Sequence, residues 1–166
     1  MNSVIRSVST LLATGLMLSL VAAAQSPAAA ELPVNHIDGG LFYNSYTAPA
    51  ISGWAAYSHK VGDSTYSYSL ADVVPGSLKP FNPKVITSSG LAQLLGNYAG
   101  FNVFAVGTVG LSASVGASTP VGASGTAGFI AVKPLKNGWT VDLPVRVIAG
   151  TGPPQYVFGI GFGWGR

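Results

Sequence analysis

From Tyr156 to Trp164 every even position is a large apolar or aromatic residue: Tyr156, Phe158, Ile160, Phe162 and Trp164. The odd positions are Val157, Gly159, Gly161 and Gly163. A period of two predicts a strand with two different faces. A soluble strand would set polar side chains opposite its buried face. Glycine at those positions suits a crowded interior, where side chains from other strands must fit. Residues 139–147 alternate more sharply still, with Trp139, Val141, Leu143, Val145 and Val147 on one face and Thr140, Asp142, Pro144 and Arg146 on the other. Pro144 cannot donate to a ladder, so a bulge is expected there.

The same periodicity, with less contrast, predicts six further strands near 40–46, 51–61, 65–71, 85–95, 101–114 and 126–133. In the fifth, Phe104 and Val106 fall on the same face as Asn102, Thr108 and Ser112. The connections punctuate these segments. Gly62-Asp63, the stretch 96–100 and the stretch 134–138 are tight, and the last holds Asn137-Gly138, a hairpin signal. Residues 74–84, 114–125 and 149–155 are longer and rich in Pro, Ser and Gly, while the first connection, around Pro49, is short. Helical periodicity is nearly absent, and the best local candidate, 91–95, is short and flanked by Gly90 and Gly96.

Composition narrows the class. Only 8% of the 166 residues are charged, against about 25% in ordinary soluble domains. Such a charge-poor chain with 7 Phe, 7 Tyr and 3 Trp does not read as disordered. The absence of Cys excludes a disulfide framework, a thiolate nucleophile and a zinc ribbon. Eight basic residues thinly spread give no stripe for nucleic acid. Residues 1–30 read as a secretory signal: Arg6 supplies the positive region, 11–24 the apolar stretch, and Ala22-Ala23-Ala24 or Ala28-Ala29-Ala30 the cleavage site. The remainder, 31–166, is long enough for one domain.

A leader, eight strands of the length a tilted membrane strand needs, alternating short and long connections and an aromatic last strand occur together in one family. The chain resembles small eight-stranded bacterial outer-membrane β-barrel proteins of OmpA/OmpX-like architecture. The resemblance is architectural and spans the mature chain. It implies an all-β, antiparallel up-and-down barrel, location in the bacterial outer membrane, contact with outer-membrane lipid, and insertion by the barrel-assembly machinery. Family members typically end on an aromatic residue, whereas this chain ends Trp164-Gly165-Arg166.

On this reading Asp142, Arg146, Lys133 and His59 are candidates for a polar lumen. Val141, Leu143, Val145, Phe158, Ile160 and Phe162 are candidates to face lipid. Trp54, Trp139, Tyr156 and Trp164 are candidates for interfacial girdles. Phe104, Phe129 and Arg146 are the large inward candidates that would pack against the glycines of the last strand. The same patterns also admit solvated charges and core aromatics in a soluble sheet. No catalytic, metal or cofactor residues are expected. Gly62-Asp63-Ser64 matches the opening of an esterase block, yet such a Ser needs a His base and a carboxylate orienter. A three-residue match equally describes a polar turn. His36 and Asp38 are two ligands where a metal site needs more. The expected role is structural or surface interaction, with a partner the sequence does not identify. Two other readings stand beside it: a periplasmic or secreted soluble β-barrel or sandwich binding a small apolar ligand, and a lipid-modifying barrel enzyme.

Overall fold

The computed structural model describes residues 32–45, 50–74, 83–114, 121–150 and 152–166. The leader and most of the connections at one end lie outside these residues. Eight strands follow in chain order: β1 (Asn35–Asn44), β2 (Ala50–Lys60), β3 (Thr65–Val74), β4 (Lys84–Tyr98), β5 (Phe101–Ser114), β6 (Gly122–Pro134), β7 (Trp139–Gly150) and β8 (Gly152–Gly165). Each pairs antiparallel with its neighbour in sequence, and β1 pairs with β8, so the sheet closes. The closure reaches the last residue: Asn35 N donates to Arg166 O at 3.0 Å, and Arg166 N returns to Asn35 O at 3.1 Å. Gly165 and Arg166 thus belong to the seam of the barrel.

The short turns gather at the end that carries Asn35 and Gly165. Ala99 and Gly100 turn β4 into β5 with φ of 51° and 81°. Asn137 and Gly138 (φ 61° and 78°) turn β6 into β7, the left-handed pair that Asn-Gly adopts at low cost. Between β2 and β3 the amides of Val61 and Gly62 both donate to Thr65 O. At the other end the expected long connection 149–155 is not a loop. β7 runs to Gly150 and β8 begins at Gly152, with Gly150 opposite Gly152. Pro153 and Pro154 are accommodated because β1 pairs with β8 only as far as Asn44 opposite Val157, and on the β7 side the register breaks between Ile148 opposite Gln155 and Gly150 opposite Gly152, so neither proline has to donate to a ladder. Likewise β6 starts at Gly122, inside the stretch read as a loop.

Pro144 does not form a bulge. Its register is continuous with Ile130 on β6. On the β8 side the paired positions pass from Asp142 opposite Gly161 to Val145 opposite Phe158 without a shift. The missing donor interrupts the ladder for two positions and leaves its phase intact. The register shifts fall instead at Leu94/Gly96 in β4 and at Ile148/Gly150 beside the β7–β8 turn.

Burial follows the alternation. Along β7, Thr140, Asp142, Pro144, Arg146 and Ile148 are buried, and Trp139 and Val145 are exposed. On β5, Phe104 and Val106 point inward with Asn102, Thr108 and Ser112. The inner face is therefore mixed rather than polar. Phe42, Trp54, Tyr66, Tyr68, Leu70, Ile86, Phe104 and Ile130 belong to one core cluster inside the barrel, as expected where eight strands leave room only for side chains.

Candidate functional site

The concentration of chemistry is in the lumen. Arg146 on β7 reaches across to Asp72 on β3, with Nη2 donating to Oδ1 at 3.0 Å and Nη1 to Oδ2 at 3.4 Å. Both side chains are wholly buried. The guanidinium also lies 5.5 Å from the Phe42 ring and 5.6 Å from the Trp54 ring, so its faces meet aromatics while its edge meets the carboxylate.

Glycines on β8 make this arrangement possible. In register, Trp54 on β2 stands beside Gly40 on β1, then Gly161 on β8, then Asp142 on β7. A Cβ at Gly161 would come within 2.6 Å of Trp54 Cζ2, and one at Gly159 within 2.7 Å of Phe42 Cβ. At Gly163 it would collide with His36 Nε2. The glycine lane of the last strand is the floor on which Phe42, Trp54 and His36 rest. The occupants differ from those expected: Phe104 points inward but packs edge-on to Tyr66 at 5.5 Å, and Phe129 lies on the outer wall.

Towards the short-turn end a second polar chain runs from His36 Nε2 to Thr140 Oγ1 (2.9 Å) and from Thr140 Oγ1 to Asp142 Oδ2 (3.1 Å). Towards the other end Asn44 Nδ2 donates to Gln155 Oε1 at 2.7 Å, and the Ser88 and Thr108 hydroxyls pair at 2.8 Å. Asp38 Oδ1, Asp142 Oδ1 and Tyr68 OH are buried without a partner among the described residues. Asp38 and Tyr68 border a cavity of about 30 Å³, whose other walls include Tyr66, Phe104 and Ile130. That is space for a water or two, which such groups require. Leu32 covers this cavity from the short-turn end and packs on the core.

Of the lumen candidates, Asp142 and Arg146 lie inside. Lys133 and His59 do not. Lys133 has the outward phase of β6 and sits 5.3 Å from the Phe101 ring. His59 is exposed, with Nδ1 2.8 Å from Asn35 Oδ1. Ser64 Oγ accepts from Gln93 Nε2 at 2.7 Å, so Ser64 and His59 each have other partners. Among the described residues no group of three or more His, Asp or Glu is placed to hold a metal.

On the outer wall, Val141, Leu143, Val145, Phe158, Ile160 and Phe162 all point away from the lumen, as do Trp139, Tyr156 and Trp164. Trp54 is the exception. It is 6% exposed and turned inward, because Ser52, Ala56 and Ser58 share its phase while Ile51 and Tyr57 hold the outer one. Its displacement from the rim leaves Tyr57, Tyr98, Phe101, Trp139 and Trp164 near the short-turn end of the wall. Tyr156 lies eight residues along β8 from Trp164, or about 27 Å at 3.4 Å per residue. A strand tilt near 40° projects that to about 21 Å, close to the apolar band of membrane barrels.

Comparison with protein-family models and with curated proteins finds no match. Among solved structures, the fold is similar to that of Ail, the attachment invasion locus protein of Yersinia pestis. The TM-score is 0.53 at 10% identity, covering 81% of this chain and 99% of that one. A de novo designed transmembrane β-barrel aligns with a TM-score of 0.49 at 6% identity, covering 82% of this chain and 99% of that one. The likeness to Ail is one of fold: a closed, eight-stranded, up-and-down antiparallel barrel.

Proposed function

We propose that this protein is a small, non-conducting barrel of the bacterial outer membrane, whose role is structural or one of surface contact rather than catalysis. One observation carries the reading: large apolar side chains stand exposed on the outer wall while charged groups are buried in the lumen. Leu41, Ile51, Val109, Phe158, Ile160 and Phe162 are all more than half exposed, while Asp72, Asp142 and Arg146 are buried to 1% or less. Water penalises such a surface, whereas hydrocarbon favours it. The lumen cavity beside Asp38 and Tyr68, of about 30 Å³, is itself too small for an apolar ligand, since small-molecule pockets measure about 300–1,000 Å³. On this reading the short turns face the periplasm and the longer connections face outward. The connections at that end, between β1 and β2, β3 and β4, and β5 and β6, are poor in charge, so contacts through them are weakly electrostatic. The name of Ail describes attachment, and contact with another surface is the corresponding role here.

The experiment is refolding of the mature chain into phosphatidylcholine vesicles, followed by gel electrophoresis with and without boiling. A membrane barrel gives a compact unboiled species that boiling converts to the unfolded mobility. A chain that folds and stays monomeric in buffer without detergent or lipid would overturn the reading.

A further inference from the structure

The outer wall is not uniform. Where β5, β6 and β7 run side by side, Ala131 stands between Val103 and Leu143 in register. Its methyl group forms the floor of a groove of about 260 Å³ whose walls include Phe101, Phe129, Val103 and Leu143. At the short-turn end of this groove Lys133 holds its ammonium 5.3 Å from the Phe101 ring centroid, and Lys136 follows in the β6–β7 turn. The acids are elsewhere. Asp38, Asp72 and Asp142 are buried in the lumen. Among the described residues, the short-turn rim therefore carries Lys60, Lys133, Lys136 and Arg166 against the single carboxylate of Asp63. Asp63 lies in the β2–β3 turn, away from the β5–β7 wall.

An apolar slot ending at a cationic rim matches one class of molecule, a lipid with an anionic head. Because the short-turn end is periplasmic on the reading above, that lipid comes from the periplasmic leaflet. We infer that the Ala131 groove binds an anionic glycerophospholipid, with one acyl chain along Ala131 and the phosphate held by Lys133 and Lys136. The inference rests on the outer-membrane reading and adds a defined site to it. The sorting of charge explains how a chain with few charged residues can hold an anion: Asp38, Asp72 and Asp142 sit inside the barrel, out of reach of Lys133 and Lys136. Each lysine near a headgroup plane contributes about a fivefold gain in affinity for anionic lipid.

The test is native mass spectrometry of the refolded barrel, released from detergent with equal amounts of dioleoyl-phosphatidylglycerol and dioleoyl-phosphatidylcholine. The expected result is several-fold enrichment of bound phosphatidylglycerol. Lys133→Ala should lower that enrichment about fivefold. Ala131→Phe fills the floor without changing charge and should reduce retention of both lipids. Lys84→Ala, at the far end of the barrel, should change neither. Equal binding of the two lipids, or enrichment indifferent to Lys133→Ala and Ala131→Phe, would overturn the site while leaving a heat-modifiable barrel intact. A chain that never acquires the heat-modifiable form would overturn the membrane reading and the site together.

Discussion

Arg146 and Asp72, 74 positions apart in sequence, meet across the lumen with Nη2 and Oδ1 at 3.0 Å and no solvent on either side chain. Desolvating both groups is costly, and the pair repays that only while both partners are present. Asp72→Leu leaves the guanidinium buried among Phe42 and Trp54 with no carboxylate on its edge. Arg146→Met leaves the lumen carboxylates of Asp38, Asp72 and Asp142 without that cation. Each single change is expected to destabilise the barrel by about 3–5 kcal/mol. The double variant should cost clearly less than the sum. Urea titrations of the four proteins in lipid vesicles measure this cycle, and additive losses would mean that the two groups do not act as a pair.

The glycine lane of β8 makes a sharper steric prediction. At Gly161 a methyl group would lie 2.6 Å from both the Trp54 ring and Gly39 O, the latter being backbone that cannot swing aside. At Gly107, on the outer wall, it would meet nothing within 4 Å. Gly161→Ala should therefore cost about 1–3 kcal/mol, the usual penalty for overpacking. Gly107→Ala should stay within about 0.5 kcal/mol, as a change away from packed features does. The same titration reads both, and equal effects would show that the lane is not a packing surface.

How much of this was legible depended on whether the two faces of a strand differ chemically. In β7 and β8 they do, because Thr140, Asp142 and Arg146 or a run of glycines mark the inner phase, and the alternation could be read directly. In β2 they barely do. Both faces carry an aromatic, Trp54 inward and Tyr57 outward, because the apolar outer wall and the side-chain-filled lumen both accept apolar groups. The only sequence signal for Trp54 was that Ser52 and Ser58 share its phase. Lys133 misled for a related reason: near a strand end a lysine can face outward and reach the headgroup level, so charge alone does not mark the lumen. Pro153 and Pro154 read as a loop because the pattern cannot show that β8 overruns β1 at that end. The Arg146–Asp72 pair was half visible. Arg146 stood out in β7, but its partner on the opposite wall depends on barrel closure, which no local period encodes.

The filled lumen bears on transport. Phe42, Trp54, Arg146 and Asp72 occupy its middle, and the cavity beside Asp38 and Tyr68 holds only about 30 Å³. An eight-stranded barrel has no width left for a water column around such groups. Planar-bilayer recordings of the refolded protein should therefore show no stable conductance steps at neutral pH. Reproducible steps would mean that the cluster rearranges, and that the glycine lane lines water instead of supporting Phe42 and Trp54.

The three tryptophans separate the inner from the outer face in one measurement. Trp139 and Trp164 are paired neighbours on β7 and β8, 52% and 37% exposed on the outer wall at the short-turn end. Trp54 is 6% exposed, with its ring over the Arg146 guanidinium and Gly161. In a bilayer the outer pair touches lipid near the headgroup level, where such rings settle, while the wall separates Trp54 from every acyl chain. Single-tryptophan variants made by Phe substitution can be refolded into vesicles containing brominated phosphatidylcholine. Bromines placed high on the acyl chain should quench Trp139 and Trp164 strongly, and bromines near the chain terminus should quench them less. Trp54 should be insensitive to both. Quenching of Trp54 as strong as that of Trp139 would place it on the outer wall and remove the aromatic support from Arg146; equal quenching of Trp139 at both depths would move the rim away from the headgroups.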